Sequence, residues 1–395
     1  MNPQCVRLRS FANSFQVKGG QVPGMRDPIQ LEFFILLSLN CQLSSSFKSG
    51  FPSPSGLASL TFIEGKGGDI QEGDIIPNVV HYVWILDPAK TTPQFHFKHF
   101  LSMYSAFLHL EPEIIYLHTN ANSEAISRAK TNGSYWTRKV LSMSQLVVRE
   151  VQPPTKTTTG LAITALEHQS DFLRPNILSR FGGIYLDFDV FILRDFRPLR
   201  EAGFKNVFGH ELLEKPNNGL MMSVRGSRLM NIFDKEQHLA YDKAWTTHSV
   251  ELLTKLAAAL TPVPFQVLVM ERKAFTPDGW LPEEHAALFL NHEKTESTKE
   301  LRAEEDPLNS PGEIDLEEFW NVSKNRVKED WELDYSSSYA MHAFIPKRDD
   351  RPPKCKEIDW AYVMERRSNY AVQMYPVLWH ASKLGVISRD PKDHV

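Results

Sequence analysis

From residue 75 onward, short apolar runs alternate along the chain with segments whose apolar residues recur at helical spacing. The apolar runs are rich in β-branched and aromatic residues, which is typical of strands buried on both faces. They lie at residues 79–85, 114–118, 146–151, 184–193, 207–210, 219–223, 265–270 and 339–345. The helical segments lie at residues 95–110, 122–130, 161–178, 227–241, 247–260 and 358–384. This alternation predicts an α/β fold, in which a mainly parallel sheet carries helices on both faces.

The same pattern divides the chain into three parts. Residues 1–74 are rich in Ser, Gly and Pro, which predicts an irregular N-terminal tail or stem. Residues 75–350 form one predicted domain, with a charged surface excursion near residues 293–313. Residues 351–395 are predicted to be a helical extension packed on that domain. Pro175 and Pro376 predict a kink or break in the two helical segments that contain them, because proline removes a backbone hydrogen bond.

The N-terminal part contains one apolar segment, residues 31–39, interrupted by Glu32 and Ser38. It is too short to span a bilayer, which needs about 20 apolar residues. Basic residues precede it, so a poor signal-anchor is one interpretation and membrane association is only weakly indicated. The other interpretation is a short buried or disordered segment.

Composition narrows the class of protein. Hydrophobic residues make up 42% of the chain and charged residues 23%, as in ordinary globular proteins. The net charge of −4 gives no support for a nucleic-acid partner. The three cysteines, Cys5, Cys41 and Cys355, are too far apart in sequence for a zinc motif or a disulfide framework.

The candidate chemistry centres on residues 181–191. Gly182 and Gly183 favour a tight turn before the apolar run at residues 184–193. Within a strand, residues two apart point the same way, so Asp187 and Asp189 are predicted to share one face with Tyr185. Burying two like charges is costly without a partner. A divalent cation with oxygen ligands would compensate them.

Two further features belong to the same prediction. Asp171 and Arg174 are three residues apart and so share a helix face, although a surface ion pair would explain that spacing equally well. Trp84 and the Asp187/Asp189 pair both fall near the carboxyl ends of predicted strands. Ligands of open α/β sheets bind beyond those ends. We therefore expect these residues to meet in one crevice.

Together, Asp171-Phe-Leu-Arg174 and Gly182-Gly-Ile-Tyr-Leu-Asp-Phe-Asp189 resemble the sugar-nucleotide site of DXD-type glycosyltransferases, and glycosyltransferase family 32 in particular. Weaker matches flank them at residues 76–84, 217–221 and 338–342. The resemblance covers about residues 75–345. It implies a GT-A-like, Rossmann-like catalytic domain.

The resemblance also implies roles for individual residues. It assigns a bound Mn²⁺ or Mg²⁺ to Asp189, Asp187 and His342. It assigns contacts with the nucleotide sugar to Trp84, Asp171, Arg174, Tyr185, Asp187 and Asn218, with Trp84 stacked on the base. For Trp84 the alternative is plain core packing, and for His342 it is a structural histidine.

The implied activity is transfer of a hexose from a UDP- or GDP-linked sugar to a glycan or glycolipid, metal-dependent and with retention at the anomeric carbon. The implied location is the Golgi or the secretory pathway. One alternative is a haloacid-dehalogenase-type phosphatase, with Asp187 as nucleophile and Asp189 as acid/base. That class needs a later acidic pair, for which Asp349-Asp350 is the candidate. A non-catalytic relative that binds sugar nucleotides is the other alternative.

Overall fold

A seven-stranded sheet forms the centre of the computed structural model, which describes residues 75–293, 328–345 and 358–394. The strand order is β3-β2-β1-β4-β7-β6-β8. A separate two-stranded sheet consists of β5 and β9. The strands are β1 Val79–Trp84, β2 Ile114–Thr119, β3 Leu146–Glu150, β4 Gly183–Leu186, β5 Val190–Ile192, β6 Asn206–His210, β7 Pro216–Ser223, β8 Leu268–Met270 and β9 Ala340–His342.

The central sheet is mainly parallel, as predicted. Strands β1, β2, β3 and β4 pair in parallel, and so do β6 and β8. Strand β7 is antiparallel to both of its neighbours, β4 and β6. Six of the seven strands therefore run in one direction, and their carboxyl ends meet at one edge of the sheet.

The pairing of β1 with β4 places the two sequence-distant parts of the predicted site side by side. His81 lies opposite Tyr185 in this pairing. Trp84 is the last residue of β1, and Asp187 directly follows β4. Both therefore lie at the carboxyl edge, where ligands of such sheets bind.

Helices cover both faces of the central sheet, which confirms the predicted α/β class. They are α1 Phe97–Leu110, α2 Ser123–Asn132, α3 Tyr135–Leu141, α4 Leu166–Phe181, α5 Arg197–Arg200, α6 Arg228–Ala240, α7 Leu252–Leu260, α8 Arg272–Phe275, α9 Pro282–Phe289, α10 Trp360–Glu365 and α11 Asn369–Lys383. On one face, the Tyr82 hydroxyl donates to the Ser102 carbonyl of α1 (3.3 Å). On the other, Val83 and Tyr185 pack in one buried cluster with residues of α4, α6 and α7.

The predicted strand over residues 184–193 is wrong as a single strand. The chain leaves the central sheet after Leu186, turns through residues 187–189 and enters the small sheet at Val190. The Val190 amide donates to the Asp187 carbonyl across this turn (3.1 Å). Both strands are fully buried, so the apolar pattern continues across the turn and conceals it. The two aspartates therefore lie in a turn and not on one face of a strand.

Pro175 and Pro376 both lie inside continuous helices, so the predicted breaks at these residues are wrong. Helix α4 starts at Leu166 and runs through Pro175 to Phe181 as one helix. Helix α11 likewise contains Pro376, and the break in the C-terminal segment comes earlier, at Arg366, whose φ is 52°. Leu173, Ile177 and Leu178 bury one side of α4 in the core cluster, and this packing offsets the lost hydrogen bond.

The predicted tail at residues 1–74 and the predicted excursion at residues 293–313 lie wholly or almost wholly outside the described residues, and the three-part domain division stays a prediction. Among the helices that the structure describes, none has the length and apolar content needed to cross a membrane.

Candidate functional site

The turn between the two sheets presents both aspartates at the carboxyl edge. The Asp187 amide donates to the Gly219 carbonyl of β7 (2.8 Å), which fixes the start of the turn. The Asp189 carbonyl accepts from the Ala343 amide (2.9 Å), and its Oδ2 accepts from the Ile345 amide (3.1 Å). The two carboxylates are thus held by different elements, Asp187 by the central sheet and Asp189 by the chain that follows β9.

His342 reaches the same place because β9 pairs with β5. In that pairing His342 lies opposite Val190. Its Nε2 is 3.3 Å from Asp189 Oδ1. One ligand atom from each of Asp187, Asp189 and His342 lies within 4.8 Å of the other two. The structure therefore brings together the three residues expected to bind a metal.

The space between these three residues fits a divalent cation. A Cβ atom on Gly219 would lie 2.6 Å from His342 Cε1 and 2.8 Å from Asp187 Oδ2, so glycine keeps this space open. Two carboxylates and one imidazole are a donor set that Mn²⁺ accepts, and Mg²⁺ prefers the oxygen ligands among them.

Arg174 contacts both Asp171 on helix α4 and Asp187 in the turn, and so connects these two parts of the predicted donor site. Its Nη1 lies 3.0 Å from Asp171 Oδ1, and its Nη2 lies 3.0 Å from Asp187 Oδ1. Nη1 also donates to the Asn218 carbonyl (3.2 Å), and the guanidinium lies 5.0 Å from the centre of the Tyr185 ring. Asp171 and Arg174 are both 8% exposed, so the pair is not the surface ion pair that the spacing alone allowed.

Tyr185 and Asn218 complete this hydrogen-bond network. The Tyr185 hydroxyl donates to Asp187 Oδ1 (2.6 Å), so that oxygen already has two partners and Oδ2 faces the space beside Gly219. The Asn218 Nδ2 donates to Asp171 Oδ1 (3.1 Å). Asn218 was predicted to contact the donor sugar or the acceptor. In this structure its side chain holds Asp171.

Charge in the site is distributed unevenly. Burial raises the pKa of the Asp187 carboxyl, although Arg174 opposes this. Burial also acts to raise the pKa of Asp189, but the adjacent His342 outweighs it and brings that pKa to about 2. Burial acts to lower the pKa of His342, yet Asp189 and then Asp187 raise it above its ordinary value. The cluster thus favours a positive charge next to Asp189.

Trp84 lies beside the turn. Its ring centre is 5.3 Å from that of Phe188, the residue between the two aspartates. Phe95 and His99 pack against it at 4.7 Å and 5.1 Å. The indole is half-buried, so it belongs to this packing and keeps part of its surface exposed. Stacking of Trp84 on the base stays a prediction.

Sequence reasoning missed four residues that surround the site. His248 lies 3.3 Å from Asp171. Asn217 and Glu211 form a hydrogen-bonded pair beside His342. Lys98, the second residue of α1, is 8% exposed and contributes to the lowered pKa of Asp189. The motif at residues 217–219 is a sequence signal for Asn217. No sequence motif indicates His248, Glu211 or Lys98.

Part of the chain matches a glycosyltransferase family. Residues 98–208 match the family described as "Glycosyltransferase sugar-binding region containing DXD motif". The matched residues include Asp171, Arg174, Tyr185 and both aspartates of the turn. This part of the chain is thus similar to the sugar-binding region of DXD-type glycosyltransferases, which supports a transferase enzyme.

One curated relative is "Glucan organizing enzyme 1" of Cryptococcus neoformans var. grubii serotype A. It is 26% identical over 227 residues, which cover 54% of this chain and 57% of the relative. The match thus spans little more than half of that protein's length.

Solved structures of glycosyltransferases are also similar. The galactosyltransferase LgtC in complex with donor and acceptor sugar analogs is 12% identical, with a TM-score of 0.37 over 80% of this chain and 98% of LgtC. The apo form of GlyE from Streptococcus pneumoniae TIGR4 is 10% identical, with a TM-score of 0.38 over 78% of this chain and 64% of GlyE. At these TM-scores, the structural similarity carries no argument, and the glycosyltransferase assignment rests on the family match over residues 98–208.

Proposed function

We propose that this chain transfers a hexose from a UDP- or GDP-linked sugar to a glycan or glycolipid acceptor, with a divalent metal ion and with retention at the anomeric carbon. One observation carries the proposal. Asp187, Asp189 and His342 converge within 4.8 Å at the carboxyl edge of the sheet, next to the buried Asp171–Arg174 pair. A nucleotide sugar has a metal-binding diphosphate and a hydroxyl-rich hexose, and the two halves of this site match those two parts.

Asp187, Asp189 and His342 would hold Mn²⁺ or Mg²⁺. When bound, the cation stabilises the negative charge that develops on the leaving diphosphate. Asp189 and His342 offer ligand atoms directly, whereas one oxygen of Asp187 is already engaged by Tyr185 and Arg174. Asp187 is therefore proposed to contribute only its Oδ2.

The remaining residues would bind and orient the donor. Asp171 is proposed to accept hydrogen bonds from hexose hydroxyls, because its carboxylate is fixed by Arg174 and Asn218. Arg174 is proposed to carry positive charge toward the sugar or the phosphate. The exposed part of Trp84 is proposed to stack on the nucleobase, since flat aromatic rings offer a large surface to other rings.

The acceptor and the location belong to the same proposal. The name of the curated relative refers to glucan, which places glucans first among the acceptors to be tested. A location in the Golgi or elsewhere in the secretory pathway would agree with glycan synthesis.

The test is nucleotide release from a panel of UDP- and GDP-sugars, with Mn²⁺ or with a chelator, and with glucan oligosaccharides as acceptors. We expect one donor to be turned over only with metal, and Asp189→Asn to abolish that turnover. Asp195→Asn is the matched control, because its side chain is 44% exposed and pairs only with Arg197 among the described residues.

The anomeric configuration of the product, measured by NMR, tests retention. No turnover with any donor would refute the proposal.

The phosphatase alternative finds no comparable support. It leaves the buried Asp171–Arg174 pair unexplained, although Arg174 contacts Asp187 directly. Its expected acidic pair, Asp349-Asp350, lies outside the described residues. Phosphatase turnover in the absence of sugar transfer would favour this alternative.

A further inference from the structure

Asn217 lies between Glu211 and His342. Its Nδ2 donates to Glu211 Oε2 (2.6 Å), and its Oδ1 accepts from the Gly219 amide (2.7 Å). The same Oδ1 is 3.2 Å from His342 Nδ1. Asn217 is 4% exposed, so these contacts are largely shielded from water.

The partners of Asn217 determine which way its amide points. The Gly219 N–H can only donate, so the atom facing it must be the amide oxygen. The Glu211 side chain accepts, so the atom facing it must be the amide nitrogen. Two independent neighbours therefore agree on one orientation, and rotation of the amide by 180° would break both bonds.

This orientation decides which nitrogen of His342 carries a proton. The atom facing Nδ1 is an oxygen without a hydrogen, so Nδ1–H must be the donor. In the neutral ring Nε2 then has a free lone pair, and it lies 3.3 Å from Asp189 Oδ1. Two lone pairs facing each other at this distance repel unless a proton or a metal cation lies between them.

The ring is also held in place from its face. The Phe344 ring stacks on the imidazole with centres 3.9 Å apart. His342 is therefore restrained by a hydrogen bond in its plane and by stacking on its face. Residues that orient a metal-binding histidine in this way commonly change metal affinity by about 10- to 100-fold when they are removed.

We propose that Asn217, itself oriented by Glu211, is the positioning residue that presents His342 Nε2 to a divalent cation. This inference rests on the proposed metal site, and it adds two residues that bind neither the cation nor the sugar. Asn217 acts through the imidazole, and Glu211 acts through Asn217.

The test measures Mn²⁺ binding to the full-length chain by titration calorimetry and by the electron paramagnetic resonance signal of free Mn²⁺, without any sugar. Asn217→Ala and Glu211→Ala are expected to weaken binding by about 10- to 100-fold. Glu211→Gln keeps an acceptor for Asn217 and is expected to stay within about threefold of the unmodified protein. Glu214→Gln is the matched control, because Glu214 is exposed on the same loop and does not contact Asn217.

Unchanged Mn²⁺ affinity in folded Asn217→Ala and Glu211→Ala would overturn the proposal. If Asn217→Ala does not fold, nitrogen NMR of the unmodified protein labelled on histidine decides, with the His342 signal assigned by its loss in His342→Gln. With Mg²⁺ bound, the proposal requires Nδ1 protonated and Nε2 unprotonated, and the opposite tautomer refutes it. Because these measurements need no sugar donor, a failure of hexose transfer would show separately, in the donor panel.

Discussion

The Nε2 atom of His248 lies 3.3 Å from Oδ2 of Asp171, in the part of the site that contains the buried Asp171–Arg174 pair. His248 is fully buried and belongs to the π-helical turn Thr247–Glu251. A π-turn is rare and often occurs at functional sites. Here it brings a histidine into contact with the carboxylate that is proposed to bind the hexose.

Replacing His248 is expected to reduce sugar transfer without unfolding the protein. In His248→Ala the Oδ2 of Asp171 loses this polar neighbour, and leaving a buried polar atom without its partner costs about 1–3 kcal/mol. We therefore expect kcat/KM for the donor to fall by about 10- to 100-fold. His238→Ala is the matched control, because both histidines pack against Phe172 but only His248 contacts Asp171. Equal losses in both variants would mean that packing alone matters.

Arg174→Lys tests whether the planar guanidinium is needed to join two carboxylates. Lysine has a single nitrogen and cannot reach both Asp171 and Asp187 in the way that Nη1 and Nη2 do. Because the site is buried, we expect the free energy of unfolding to fall by about 1–3 kcal/mol. Urea unfolding measures it. Arg197→Lys, on an exposed pair with Asp195, should change stability by less than about 0.5 kcal/mol. Equal stability in the two variants would contradict the bridging role.

Gly219→Ala tests the space beneath the proposed cation. The added methyl would lie 2.6 Å from His342 Cε1 and 2.8 Å from Asp187 Oδ2, which forces these two proposed ligands apart. We expect Mn²⁺ affinity to fall at least tenfold and the unfolding free energy to fall by about 1–3 kcal/mol. In Gly226→Ala nothing lies within 4 Å of the new methyl, although its φ of 72° strains alanine. That control should lose stability and keep Mn²⁺ affinity, and any other result would argue against the steric explanation.

Asp278 gives the fold a pH dependence that is independent of the site. Asp278 is 3% exposed, and the Tyr335 hydroxyl donates to it (2.7 Å). Burial raises the pKa of Asp278 to about 6, although this hydrogen bond opposes the change. A raised pKa stabilises the folded protein when the carboxyl is protonated. This contribution is complete below about pH 4 and is lost as the pH rises through about 6.

Asp278→Asn should remove that dependence. Between about pH 4 and pH 7, the unmodified protein should lose about 3 kcal/mol of unfolding free energy relative to the variant. Denaturant unfolding at several pH values measures the difference between the two proteins, so the other titrating groups cancel. Parallel curves for the two proteins would show that Asp278 ionises normally.

Much of the central sheet could be predicted because its periodicity is local. The apolar pattern predicts the first three strands and α1 to within two residues at each end, since polar residues or proline mark most of these ends. The turn at residues 187–189 could not be predicted in the same way. Leu186 and Val190 are equally apolar and equally buried, and only the pairing partners differ, β7 for one and β9 for the other.

The residues of the candidate site likewise fall into two groups, those that local sequence motifs predict and those that only the fold brings together. Asp171, Arg174, Tyr185 and the two aspartates form spaced motifs within one stretch of sequence, so their types and spacing were informative. His248 lies in the π-helical turn and Glu211 follows β6, and only the folded chain brings them to Asp171 and Asn217. Pro175 misled the prediction for a related reason, because the packing that keeps α4 continuous comes from helices and strands far along the chain.

The proposed metal ligands are divided between two sheets, and this has a mechanical consequence. Asp187 directly follows a strand of the large sheet, whereas Asp189 directly precedes a strand of the small sheet and His342 lies in that sheet. A cation bound to all three would cross-link the two sheets at the point where the chain passes between them. Binding stabilises whichever state holds the ligand, by about 2.7 kcal/mol at a hundred times the dissociation constant. Losing the cation would therefore destabilise the contact between the two sheets, and separating the sheets would release the cation.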